Sequence, residues 1–156
     1  MITTEQIKEL REKTGISVAQ CKKALEESGG NMAGALDILK AKSSEIADKK
    51  SDRTLGAGVV SAYIHNSTVG SMITLQTETD FVAKNPEIKA LADDIAMHVA
   101  AMMPADMVEL AGQPFIKDPS QTVGDLIKTA IQKFGERVEV GQMVRFEVWF
   151  FYFISA

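Results

Sequence analysis

The chain has 156 residues, 46% of them hydrophobic and 24% charged, which is typical of a globular protein with one medium domain or two small ones. A formal net charge of −4 argues against a general attraction to nucleic acid, and the single cysteine, Cys21, excludes an intrachain disulfide and fits a reducing, cytoplasmic compartment. The N-terminus lacks the apolar segment of a secretory signal, and the longest apolar run, Val148 to Ile154, is too short to cross a membrane as a helix.

Three short helices are predicted in residues 1–42, where they would pack as a small N-terminal module. Thr3 with Gln6 and Ser17 with Gln20 match the capping-box pattern that begins a helix, and Asn31 is a favourable N-cap for a third. Apolar residues follow each start at helical spacing, so every helix has one face to bury: Ile7 and Leu10; Val18, Cys21 and Leu25; and Met32, Ala35, Leu36 and Leu39.

A linker is predicted in residues 43–57, which are polar and charged, with no apolar periodicity; the first part of this segment could be helical. The second unit, residues 58–156, begins with a predicted β-hairpin. Its strands are Val60 to Ile64 and Met72 to Thr77, and the turn-rich segment between them indicates a loop longer than two residues.

Two amphipathic helices and further strand signals complete the second unit. Asn85 and Pro86 are a favourable N-cap and first residue for a long helix, and a second helix is predicted in residues 122–135. Apolar alternation in residues 138–140 and 144–148 predicts strands. The sequence therefore predicts an α+β protein: a three-helix module, a linker, and a core of antiparallel sheet covered by helices.

Residues that could carry covalent chemistry do not converge in this sequence. We find no phosphate-binding loop, dinucleotide fingerprint, nucleophile elbow or zinc-ligand spacing. His65 and His98 are far apart, and the spacing around His98 by itself favours a partly buried structural histidine. Cys21 lies on an apolar helical face, which favours a packed cysteine over a nucleophile. We therefore expect a binding protein without a metal, a cofactor or covalent catalysis.

The segment from Thr77 to Pro86, TETDFVAKNP, is the most informative stretch of the chain. It places an aromatic residue, Phe81, beside an acid, Asp80, immediately before a predicted helix start. One interpretation is structural, with Phe81 packed under the hairpin and Asp80 capping the helix. The other is that the turn presents a bulky apolar group and a carboxylate to another protein. Spacing does not choose between them.

Six segments, in order along the chain, resemble the bacterial translation elongation factor Ts family to about Val148. They include IKELREKTG and CKKALEES in the first module and TDFVAKN at Thr79 to Asn85. The others are IAMHVAA from Ile95, GQPFIKDPSQTVGDLI from Gly112, and VRFEV from Val144. The resemblance implies that the N-terminal module is ubiquitin-associated-like (UBA-like).

The resemblance also implies a function, namely guanine-nucleotide exchange on elongation factor Tu. A protein of this family would bind the GDP-loaded factor, release GDP by disturbing the Mg²⁺ and phosphate site, and leave a nucleotide-free form that GTP fills. The implied contact residues fall into three groups: Thr79, Asp80, Phe81 and Val82 at the Mg²⁺ site; Lys8, Arg11, Val18, Ala19 and Lys22 in the N-terminal module; and His98 at the partner surface of the core.

Two departures from the family pattern stand out. The family usually carries extra helices between Pro104 and the GQPF segment, where this chain has only Ala105 to Ala111. A homodimer formed through the sheet is one way to restore the lost surface. The terminus is the second departure, because the aromatic run WFFYFISA, residues 149–156, predicts self-association through this end.

The alternative of a different class is a non-catalytic adaptor, in which the UBA-like module docks on a partner and the core is a scaffold. Direct contacts with nucleic acid or membrane are expected in neither case. The two hypotheses differ in whether binding accelerates the release of GDP.

Overall fold

The computed structural model describes residues 1–148, and the prediction of self-association through WFFYFISA lies outside these residues. In that part of the chain the elements are α1 (Thr4–Thr14), α2 (Val18–Glu27), α3 (Met32–Lys50), β1 (Ala57–His65), β2 (Val69–Thr77), α4 (Asp80–Ala83), α5 (Pro86–Met102), α6 (Met107–Gly112), β3 (Pro114–Phe115), β4 (Asp118–Thr122), α7 (Val123–Phe134) and β5 (Val138–Glu147). The predicted α+β class is confirmed.

The N-terminal helices begin where the sequence predicts. Thr3 and Gln6 form a reciprocal capping box at α1, and the side chains of Ser17 and Asn31 cap α2 and α3. The three helices enclose a small apolar cluster, with fully buried side chains that include Leu10 and Leu25. This cluster is separate from the larger one under the sheet.

Helix α3 belongs to both clusters. Leu39, in its first half, is buried among the N-terminal helices, whereas Ile46 and Ala47, in its second half, pack against the core under the sheet. The helix therefore continues through residues 43–50 of the predicted linker, and residues 51–56 are the part that is neither helix nor strand. The division of the chain into domains at residues 42 and 57 stays a prediction.

The sheet has three antiparallel strands in the order β1–β2–β5, and α5 covers one of its faces. The hairpin loop between His65 and Val69 has three residues, as the longer-loop prediction requires. The outer face of the sheet, on the side away from α5, carries exposed apolar side chains: Val60, Ile64, Met72, Val144 and Phe146.

The short helices α4 and α6 are not among the predicted elements, and two further segments differ from the sequence prediction. The strand signals near the C-terminus form one strand, β5, because Gly141 is an extra residue that bulges out of the pairing opposite Thr74 and Leu75. The two prolines of GQPFIKDPS, residues 112–120, predict a loop, but this segment contains strand β3 and the start of β4, which pair as a short hairpin.

Candidate partner-binding site

The acid–aromatic segment folds as a single helical turn, α4, between the end of β2 and the start of α5. Thr79 has an extended backbone, and its hydroxyl accepts a hydrogen bond from the Val82 amide, which makes it the N-cap. The Asn85 side chain then accepts from the Glu87 amide at 2.9 Å, and Pro86 is the first residue of α5, as predicted. Two helix starts lie within seven residues, so the chain between them is a tight, exposed corner.

Phe81 is 87% exposed, although its ring is large and apolar. The structural interpretation, in which Phe81 packs under the hairpin, is therefore wrong. Asp80 does not cap α5 either, since Asn85 fills that role and the Asp80 carboxylate pairs with Lys84 at 3.3 Å in solvent. The corner presents an aromatic ring and a carboxylate on its outer side.

Val82 and Ala83 attach the corner to the rest of the protein. Val82 is 5% exposed and belongs to the core cluster under the sheet. The resemblance groups Val82 with the contact residues; its side chain faces inward, and we therefore expect it to act by supporting the corner and not by contact with a partner. Val82 supports the corner from below while Phe81 points away.

Two glutamates tie this corner to the loop between α7 and β5. The Glu136 carboxylate accepts from the Thr79 amide at 3.1 Å and from the Thr79 hydroxyl at 2.6 Å. Glu78 accepts from the Arg137 amide at 2.6 Å and pairs with Arg53 at 3.5 Å. The sequence contains no local signal for these bonds, because they depend on the pairing of β2 with β5.

The N-terminal residues implied by the resemblance are all exposed. On α1, Lys8 and Arg11 are one helical turn apart, and on α2 Val18 and Lys22 are likewise one turn apart. Together with Ala19, these residues are exposed cationic and apolar groups on α1 and α2, and their role in binding stays a prediction.

His98 is fully buried, so its expected place at the partner surface is wrong. Its Nδ1 accepts from the Ile116 amide at 3.2 Å, which leaves the proton on Nε2 to donate to the Gln113 side-chain oxygen at 2.9 Å. Burial lowers the pKa of His98, and the bond to Gln113 opposes this only in part. A neutral His98, beside the ring of Phe115, therefore joins α5 to the β3–β4 hairpin.

The other chemically reactive residue, Cys21, is completely buried, and its thiol lies 3.6 Å from the Ile16 carbonyl. Burial raises the pKa of the Cys21 thiol, so the prediction of a packed cysteine is confirmed. Within residues 1–148, no three His, Cys, Asp or Glu side chains are grouped so that they could hold a metal ion. No helix in the same part of the chain is long and apolar enough to cross a membrane.

An exposed aromatic side chain on a corner of an α+β scaffold is typical of a protein that acts through contact with another protein. Comparison with known proteins is more specific. The family model described as Elongation factor TS matches residues 3–109.

Proteins named Elongation factor Ts are similar over almost the whole chain. The one from Thermodesulfovibrio yellowstonii is 38% identical, with 94% of this chain and 96% of the relative covered. Those from Alkaliphilus metalliredigens and Carboxydothermus hydrogenoformans are 36% and 38% identical, with 94% and 95% of this chain and 89% of each relative covered. The chain therefore belongs to the elongation factor Ts family.

The chain is a short member of this family. Its alignment with the T. yellowstonii relative extends over 191 positions, against a chain of 156 residues, so at least 35 positions, the difference, have no counterpart here. Membership assigns the chain a role in translation elongation, as a guanine-nucleotide exchange factor for elongation factor Tu. The adaptor alternative is not favoured.

Proposed function

We propose that the chain accelerates GDP release from elongation factor Tu by inserting Phe81, with Asp80 beside it, next to the Mg²⁺ and phosphate site of the nucleotide. The observation that carries the proposal is the 87% exposure of Phe81 on a corner that is fixed at both ends. No covalent step is involved, and the chain itself needs no cofactor.

The physical basis is the dependence of nucleotide affinity on Mg²⁺. The ion bridges protein and phosphate oxygens, so moving its surroundings removes a large electrostatic part of the binding free energy. Coupling between two ligands is reciprocal, and a factor that weakens GDP binding is weakened by GDP to the same extent. The chain therefore binds the GDP-loaded and the nucleotide-free forms, and incoming GTP releases it.

Burial of the Phe81 ring against the partner can supply part of the binding free energy that offsets the loss of GDP affinity. Burial of a phenylalanine side chain removes about 150–250 Å² from water, which at about 25 cal/mol per Å² corresponds to roughly 4–6 kcal/mol as an upper limit. Because the ring is exposed before binding, nearly all of this gain is realised on contact with the partner. The exposed residues Lys8, Arg11, Val18, Ala19 and Lys22 would hold the nucleotide-binding domain while the ring is inserted.

The test is release of a fluorescent GDP analogue from elongation factor Tu, measured by stopped flow at increasing concentrations of the chain. We expect clear acceleration, and we expect the Phe81→Ala variant to lose most of it. Val108→Ala is the matched control, since Val108 is an equally prominent apolar side chain, 83% exposed, on α6. Binding of the chain without acceleration would support the adaptor and end this proposal.

We further propose that two copies associate through the outer face of the sheet. The pairing places Ala62, Met72 and Val144 in one row and Ile64, Gly70 and Phe146 in the next, all without charge. Such a face is self-complementary in a two-fold dimer.

The chain would act in the cytoplasm, and its net charge of −4 favours neither nucleic acid nor an anionic membrane as a partner.

A further inference from the structure

The contact between the Phe81 corner and the α7–β5 loop extends the sheet beyond its last backbone pair. Strands β2 and β5 pair as far as Thr77 and Val138. The next residues, Glu78 and Thr79 on one side and Arg137 and Glu136 on the other, diverge from ladder geometry. In place of backbone pairing, a glutamate side chain of each segment accepts a hydrogen bond from a backbone amide of the other: Glu136 from Thr79, and Glu78 from Arg137.

We propose that Glu136 is a positioning residue for Phe81, which assigns it a part in the exchange reaction proposed above. The four-residue helix α4 is too short to be stable by itself, so its orientation depends on its cap and its anchors. Glu136 orients the N-cap residue Thr79, because one of its carboxylate oxygens accepts from the Thr79 amide and the other accepts from the Thr79 hydroxyl.

The second of these bonds orients the hydroxyl group. A threonine hydroxyl has one proton and two lone pairs, and it can rotate to suit its surroundings. The Thr79 hydroxyl donates its hydrogen bond to the Glu136 carboxylate, with 2.6 Å between the oxygens. Its lone pairs are then free to accept from the Val82 amide, with 3.4 Å between nitrogen and oxygen. The carboxylate thus determines the bond that begins the helical turn carrying Asp80 and Phe81.

Glu136 acts through Thr79 and not by direct contact with the partner. The carboxylate is half-buried, and both of its oxygens are already bonded to Thr79. Loss of Glu136 should therefore leave the grip of the N-terminal module intact and reduce the fraction of time in which Phe81 is correctly aimed. The concentration for half-maximal effect is then preserved, while the maximal rate falls.

Stopped-flow GDP release with the full chain tests this separation. For Glu136→Ala we expect about a tenfold lower maximal rate, the order expected from loss of a charged hydrogen bond, at an unchanged half-saturating concentration. Glu136→Gln should restore most of the rate, because the amide oxygen can accept from the Thr79 amide and the NH₂ group can donate to its hydroxyl. Glu139→Gln, which removes a carboxylate bonded to Arg137, is the control and should act like the parent.

A second measurement needs no partner. Amide hydrogen exchange at Val82 and Ala83 should be faster in Glu136→Ala than in the parent, because these amides are bonded to Thr79. Unchanged exchange rates, or a higher half-saturating concentration with the maximal rate intact, would overturn the assignment.

A double-mutant comparison separates this proposal from the one on which it rests. In a Phe81→Ala background, Glu136→Ala should have no further effect on the rate, since the ring that it positions is absent. If Phe81→Ala keeps the parent rate, the proposed insertion of Phe81 beside the Mg²⁺ site fails. If Phe81→Ala loses activity but Glu136→Ala keeps it, only the positioning role fails.

Discussion

Val82 and Phe81 are neighbours on one helical turn, and their truncations should have opposite effects. Val82→Ala removes two methyl groups from a side chain that is 5% exposed and packed in the main core. At about 0.8 kcal/mol per methylene-sized group, with a further term for the cavity left behind, the loss is about 2 kcal/mol of unfolding free energy. For a chain of this size, that lowers the melting temperature by about 4–8 °C.

The assay is thermal and urea unfolding of parent, Val82→Ala and Phe81→Ala under identical conditions, with GDP release measured well below each transition. Phe81→Ala should unfold with the parent, because an exposed side chain contributes within about 0.5 kcal/mol, while losing exchange activity. Val82→Ala should keep the larger part of its activity. If Val82→Ala melts with the parent and loses exchange, Val82 contacts the partner and its inward, supporting role is refuted.

Two further predictions concern the buried His98 and the outer face of the sheet. Burial lowers the pKa of His98 below its ordinary value of 6.5, so at lower pH the unfolded chain binds a proton more readily than the folded chain. The free energy of unfolding should therefore fall as the pH drops below about 6.5. In urea titrations at several pH values, His98→Gln should make this dependence on pH less steep. A slope equal in both proteins would assign the pH dependence elsewhere. Met72→Asp places a charge at the centre of the outer sheet face and should convert dimers to monomers in light scattering; a parent that is already monomeric at high concentration would exclude the dimer.

The parts of the fold that the sequence predicts well are those decided by neighbouring residues. The capping box of Thr3 and Gln6 and the Asn85–Pro86 helix start are complete within a few positions, so their geometry follows from residue type and spacing. The hairpin of β1 and β2 is similarly local, since its strands alternate on either side of a short loop.

Features that depend on distant pairing could not be predicted in this way. The helical spacing around His98 indicates a partly buried histidine, but its complete burial and its bond to the Ile116 amide require the β3–β4 hairpin to close over α5. The bulge at Gly141 and the role of Glu136 exist only when β5 lies beside β2. The exposure of Phe81 depends equally on tertiary structure, because an isolated aromatic residue gives no sign of which side of a turn it occupies.

Helix α3 has a mechanical consequence for a short member of this family. Its 19 residues are shared between the N-terminal cluster and the core, and a helix of that length is a rod of about 28 Å. A polar seam fixes its orientation, since Ser43 bonds to Gln132 of α7 and Gln132 bonds to Gln20 of α2 at 3.1 Å. If the N-terminal module and the aromatic corner bind the partner as proposed, this helix fixes the distance between the two contacts, whereas a flexible tether would only raise their local concentration.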